Sequence, residues 1–123
     1  MKKIFLGLVI CIFCLVSVTY AANVTLTWTA PADEGNTNAT AYRLVYSYNG
    51  TITEANFNNA TVIATSVPKA PGATESILAN LTDGRHYWFA VKSQGKSGLW
   101  STISNVVQAN FFVPSPITDL SAN

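Results

Sequence analysis

This 123-residue chain predicts an all-β sandwich, and three observations point there. Apolar residues recur at every second position in short runs, the pattern of strands with one buried face. Turn signals such as Asn49-Gly50, Pro71-Gly72 and Asp83-Gly84 separate those runs. No window carries a sustained helical period.

The chain opens on an export signal. Met1-Lys2-Lys3 is basic, Ile4 to Val18 is uncharged and mostly apolar, and Thr19-Tyr20-Ala21-Ala22 supplies small residues for cleavage. That order predicts a signal peptide over residues 1–21 and a secreted, extracellular or cell-surface location. The apolar run falls short of the ~20 residues a spanning helix needs, so no membrane span is expected in the mature chain. Cys11 follows Ile10 and Cys14 follows Phe13, whereas a lipid-attachment cysteine usually follows a small residue. Both cysteines leave with the signal, which excludes thiol catalysis, Cys-x-x-Cys-His haem attachment and thiolate metal sites. Loss of Lys2 and Lys3 leaves five basic residues against six acidic ones, a net charge of −1. Nucleic acid is an improbable partner for such a chain, since it calls for a basic face.

Residues 22–110, enough for a single compact domain, then divide into strands. In Val24-Thr25-Leu26-Thr27-Trp28 the apolar residues share one face and the threonines the other. Pro31 to Ala41 reads as a turn-rich loop. Tyr42, Leu44, Tyr46 and Tyr48 alternate along the next strand, which stops at Asn49-Gly50. Ala60 to Ala64 forms a third, broken off by Val67-Pro68-Lys69-Ala70-Pro71-Gly72, where prolines cannot serve a central ladder. Ser76 to Leu81, Tyr87 to Ser93 and Ser104 to Ala109 complete the set. The core expected from this alternation is Trp28, Tyr42, Leu44, Leu81, Tyr87, Phe89 and Val91.

The run Leu81-Thr82-Asp83-Gly84-Arg85-His86-Tyr87-Trp88-Phe89-Ala90-Val91 is the most specific in the chain. A tyrosine six residues after a leucine, across a turn, is the spacing of a tyrosine corner, whose hydroxyl returns to nearby backbone. Here the chain resembles the fibronectin type III family, whose members carry Leu, a Gly turn and Tyr-x-Phe-x-Val. Trp28, Tyr42 and Tyr87 stand in the family's order of aromatic landmarks. Phe57-Asn58-Asn59-Ala60-Thr61 and Gly98 to Val107 resemble segments of its bacterial, secreted members. The resemblance implies a fibronectin type III-like (immunoglobulin-like) β-sandwich, but activity only weakly, because such sandwiches host many functions.

The ends depart from that family. Its modules begin with a proline-bearing strand ahead of the tryptophan strand, and only Ala22-Asn23 lie between the expected cleavage site and Val24. The sandwich is thus expected to carry an incomplete first strand. Residues 111–123 form an extended C-terminal segment, in which Pro114 to Ala122 resembles the missing strand. Three accounts follow: the next module of a longer chain is absent, the tail fills its own slot, or it fills that of a neighbouring copy. An unpaired edge invites strand addition, and head-to-tail addition that does not close yields a filament. Pro114 and Pro116 keep the tail extended. Val24, Leu26, Phe111, Phe112, Ile117 and Leu120 are the candidate assembly residues, with capping of their own sandwich as the plain alternative for the phenylalanines.

Catalysis fails on inventory. His86 is the sole histidine and alternates away from the core, with Asp83 nearby but no nucleophile beyond it. No catalytic residue, cofactor or metal is expected. Asp33, Glu34, Asn36 and Asn38 match no recognised calcium loop and read as a solvated turn. Acceptor motifs for N-glycans occur at Asn23, Asn38, Asn49, Asn59 and Asn80, a pattern that an Asn- and Thr-rich chain produces by chance. The loop Gln94-Gly95-Lys96-Ser97-Gly98 corresponds to the family's integrin-binding loop but lacks Arg-Gly-Asp. Trp88, alternating outward, and Lys96 are candidate ligand contacts, with packing of the tail or cover by the loop after Leu99 the plainer fate for Trp88. Two functions compete: a structural or assembly module, with other copies of itself as partner, and an accessory module for a polysaccharide or protein.

Overall fold

The computed structural model describes residues 21–82 and 84–123. The expected signal segment and the turn residue Asp83 therefore lie outside the described residues, apart from Ala21. The described residues form eight strands: β1 Ala21–Thr29, β2 Ala32–Asp33, β3 Thr37–Asn38, β4 Ala41–Ser47, β5 Thr61–Ile63, β6 Thr74–Thr82, β7 His86–Gln94 and β8 Val107–Asn110. β1 pairs with β6, and a second sheet runs β5-β4-β7-β8; every pairing is antiparallel. The two sheets close face to face as an all-β sandwich.

Alternation builds the interior. Leu26, Leu44, Ala79, Tyr87 and Phe89 are buried together, with Val24, Trp28, Tyr46, Ile77, Leu81 and Val91 packed around them. Trp28 meets Tyr42 edge-on, with centroids 5.1 Å apart. The Tyr87 hydroxyl donates to the Thr82 carbonyl at 3.0 Å and accepts from the Thr82 N–H at 3.1 Å. One phenol thereby satisfies both backbone groups of the residue that ends β6, and so fixes how the chain turns into β7. Gly84 follows at φ 81°, a conformation that favours glycine.

A second core occupies the outer face of the larger sheet. Odd positions of β7 point inward, so Trp88 and Ala90 point outward, and neither meets water freely. Val45, Ile52, Phe57 and Ala90 are buried as a cluster, with Ala60, Trp88, Ile103 and Val106 against it. The cover comes from the connection after β4, with a short 3-10 turn at Phe57–Asn59, and from residues 101–106. Asn56 braces the connection: its Oδ1 accepts from the Thr53 N–H at 2.8 Å and its Nδ2 donates to the Thr51 carbonyl at 3.1 Å.

That cover explains where strand limits differ from expectation. The final strand was expected from Ser104, yet β8 begins at Val107. Ser101 and Ser104 hydroxyls accept the N–H groups of Ser93 and Val91, both at 3.0 Å. Side chains there replace the carbonyls of a regular ladder, so the segment follows β7 without becoming a strand. The loop expected over 31–41 holds the small hairpin β2–β3, with Gly35 and Asn36 at positive φ. β6 starts earlier than expected because Glu75 is buried. Its Oε2 accepts from the Tyr42 hydroxyl and the Lys69 N–H, each at 2.8 Å. Burial, then that bond, pushes the Tyr42 hydroxyl up to about 12.

The chain order fixes two poles. Ala21, Thr82, Gly84 and Asn110 gather at the tyrosine-corner pole. Thr29, Asp33, Thr74 and the loop from Gln94 to Trp100 gather at the other, which we call the loop pole.

Candidate assembly site

β1 has β6 as its one strand partner among the described residues. In an antiparallel pair alternate backbone groups face each neighbour, so the far edge of β1 offers unused donors and acceptors. Beside this edge the sandwich gapes. Three adjoining clefts of about 280, 90 and 300 Å³ share residues and form one trough between β1 and β8. Its floor is apolar over most of its length, with Val24, Leu26, Trp28, Phe89, Val91 and Val107, and gains Ser93, Ser101 and Thr102 at the loop pole. It runs from Ala109 near the tyrosine-corner pole to Pro31 at the loop pole, along β1 from Val24 to Thr29. Such a floor with an open backbone edge suits one added strand, whose amides complete the ladder while alternate side chains fill the gap.

The candidate assembly residues separate into two groups. Val24 and Leu26 line the trough. Phe111 instead belongs to its own sandwich: its ring lies 6.1 Å from Tyr87, its N–H donates to the Arg85 carbonyl at 2.8 Å, and its carbonyl accepts from Gly84 N–H at 2.7 Å. The plain alternative therefore describes Phe111, and the two phenylalanines part company. Phe112 is 66% exposed, Ile117 80% and Leu120 90%. Residues 111–123 form no strand, and the return of the tail into its own slot is not adopted in this structure.

Direction gives the physical reason. The tail leaves at the tyrosine-corner pole, where β1 also begins. A direct return would run parallel to β1, in a molecule whose every pairing is antiparallel. An antiparallel return must first cross the length of β1, about 27 Å for the eight steps of a nine-residue strand at roughly 3.4 Å each. Six residue steps from Phe111 to Ile117 reach only about 20–22 Å. The tail is too close to its own slot to fill it the favoured way round.

The candidate ligand contacts do not come together. Trp88 is half-buried in the second core and stacks on His86 at 4.3 Å, with the rings 6° from parallel. His86 Nε2 lies 2.8 Å from Gln108 Oε1, so the imidazole is a strut on the sheet surface. Lys96 is exposed, and its backbone N–H donates to Asp33 Oδ2 at 2.8 Å. This bond and the neighbouring Glu34 N–H hold the Asp33 carboxyl below its usual range, which makes the residue a clasp between two loops. A Cβ on Gly95 would stand 2.8 Å from Asp33 Oδ1, so glycine there admits the clasp. Among the described residues no group of three His, Cys, Asp or Glu side chains could hold a metal ion, and no helix is long and apolar enough to cross a membrane.

One exposed aromatic escaped the sequence reading. Trp100 is 43% exposed and its neighbour Leu99 74%, at the tip of the loop between β7 and β8. The loop is held by bonds from Gly95 N–H to the Leu99 carbonyl and from Gln94 Nε2 to the Gly98 carbonyl, both 3.0 Å. Two adjacent apolar residues after Gly98, in a turn, were the available signal; the strand expected beyond them drew attention away.

No protein-family model matches the chain. It is similar to calcium-activated chloride channel regulator 1 of Bos taurus, 32% identical over 104 residues, which cover 76% of this chain. The chain spans 11% of that much longer protein.

Proposed function

We propose that this chain is a fibronectin type III-type, non-catalytic module of the cell exterior that assembles head to tail by strand complementation. The carrying observation is the apolar trough beside the unpaired edge of β1, together with a tail whose apolar residues lie exposed. The tail of one copy enters the trough of the next, antiparallel to β1, and Ile117 and Leu120 reach the floor. These two are three residues apart and face opposite ways in a regular strand, so the inserted segment carries a bulge between them. Entry at the loop pole and exit at the tyrosine-corner pole make the contact heterologous and its repetition linear. The tyrosine corner and the order Trp28, Tyr42, Tyr87 support the family.

Sedimentation velocity over a concentration series tests this. Full-length chain is expected to form multimers, and Ile117→Asp with Leu120→Asp to leave a folded monomer. A full-length chain that stays monomeric throughout contradicts it. That outcome would favour a second reading, supported by the match to 11% of a longer relative: one module within a longer chain, whose tail begins the next module. The accessory-module rival, reading a polysaccharide or protein through Trp88, draws no support from a tryptophan half-buried beneath His86. A match over so small a share of the relative carries no role in chloride conductance to this chain.

A further inference from the structure

We infer that the Leu99–Trp100 tip is a second docking surface for a neighbouring copy of this chain, and that it receives Phe112 and Val113 of the copy whose tail fills the trough. The inference rests on the strand-complementation reading and adds its polarity and its junction. β1 runs from the tyrosine-corner pole to the loop pole, so a strand added antiparallel to it must go in at the loop pole. Leu99 and Trp100 stand at that pole, tied through Gln94 to the end of β7 and through the Lys96–Asp33 bond to β2, the strand that follows β1. The residues that precede the inserted segment in the donor, Phe112 and Val113, are then held outside the trough against this tip. Both pairs are apolar and open: Phe112 and Val113 are exposed, as are Leu99 and Trp100. Within one copy they sit at opposite poles, since Phe111 is bonded at Gly84 and Arg85. Each half of the contact is therefore without cover until a second copy arrives. Backbone and side-chain hydrogen bonds also brace the loop, so little ordering opposes docking, and a central tryptophan is the residue type that carries most in such contacts.

Disulfide trapping reads this directly in a full-length chain with Cys11 and Cys14 changed to serine. Trp100→Cys is mixed with Val113→Cys, and Arg85→Cys, at the opposite pole, is mixed with Val113→Cys as the comparison. The expected result is an intermolecular disulfide in the first mixture and none in the second. Trapping through Arg85→Cys, or multimers by sedimentation with no trapping through Trp100→Cys, would overturn the docking surface and leave strand complementation standing. Absence of multimers in the parent chain would remove both. A second variant, Trp100→Ser, is expected to weaken assembly roughly thirtyfold, the scale of a hot-spot aromatic. Unchanged assembly with an unchanged melting temperature would also overturn the inference.

Discussion

Glu54 shows how single side chains hold the second core in place. Its Oε1 lies 2.9 Å from Lys92 Nζ, and its Oε2 accepts from Ile103 N–H at 2.6 Å. One carboxylate thus joins the connection after β4, strand β7 and the segment before β8, while the Lys92 ammonium rests 4.7 Å over Phe57. Lys92 first, then the Ile103 N–H, holds the Glu54 carboxyl below its ordinary value of 4.5. A lowered folded-state pKa means that this stabilisation is complete above the unfolded value and is lost as pH falls through the folded one. Melting temperatures at pH 7 and pH 3 should therefore fall further in the parent chain than in Glu54→Gln, which keeps an acceptor for Ile103 but has no charge to lose. Equal falls would show that the carboxylate carries no such linkage. Nothing in the sequence marked Glu54, because its partners lie 38 and 49 positions away.

Elements whose faces were set by alternation were legible, and those set by distant cover were not. Tyr87, Phe89 and Val91 announce the inner face of β7, and Trp28, Leu44 and Leu81 meet them as alternation implies. The same rule declares the opposite face of that sheet to be wet, and there it misleads. Val45 and Ala90 look like outward residues of a half-buried strand, yet Ile52 and Phe57 close over them from an irregular connection. No period marks such a cover; only the aromatic in Phe57-Asn58-Asn59 hinted at it. The second core has a measurable weight. Phe57 is fully buried, and Phe57→Ala is expected to destabilise by about 3–5 kcal/mol in denaturant unfolding, the usual cost of truncating a core phenylalanine. A loss below about 1 kcal/mol would show the connection to be a loose flap instead. The candidate site divides in the same way: Val24 and Leu26 were legible as the floor of a slot, whereas the Leu99–Trp100 tip depends on a loop clasp by Asp33.

For the whole molecule, the central matter is the direction in which a strand can be added beside β1. The tail and β1 begin at one pole, so an antiparallel return into the same molecule is disfavoured, and in the proposed assembly one copy completes the next. A synthetic peptide of residues 112–123 (Phe-Val-Pro-Ser-Pro-Ile-Thr-Asp-Leu-Ser-Ala-Asn) isolates this claim, since it offers the strand without the rest of the donor. Titrated into an isotope-labelled chain lacking those residues, it should shift the amide signals of β1 from Val24 to Trp28 and those of Val107 and Ala109. Hydrogen exchange should slow at alternate β1 amides. Saturating peptide that leaves β1 unshifted and unprotected, or that perturbs only surfaces away from the trough, would contradict the account.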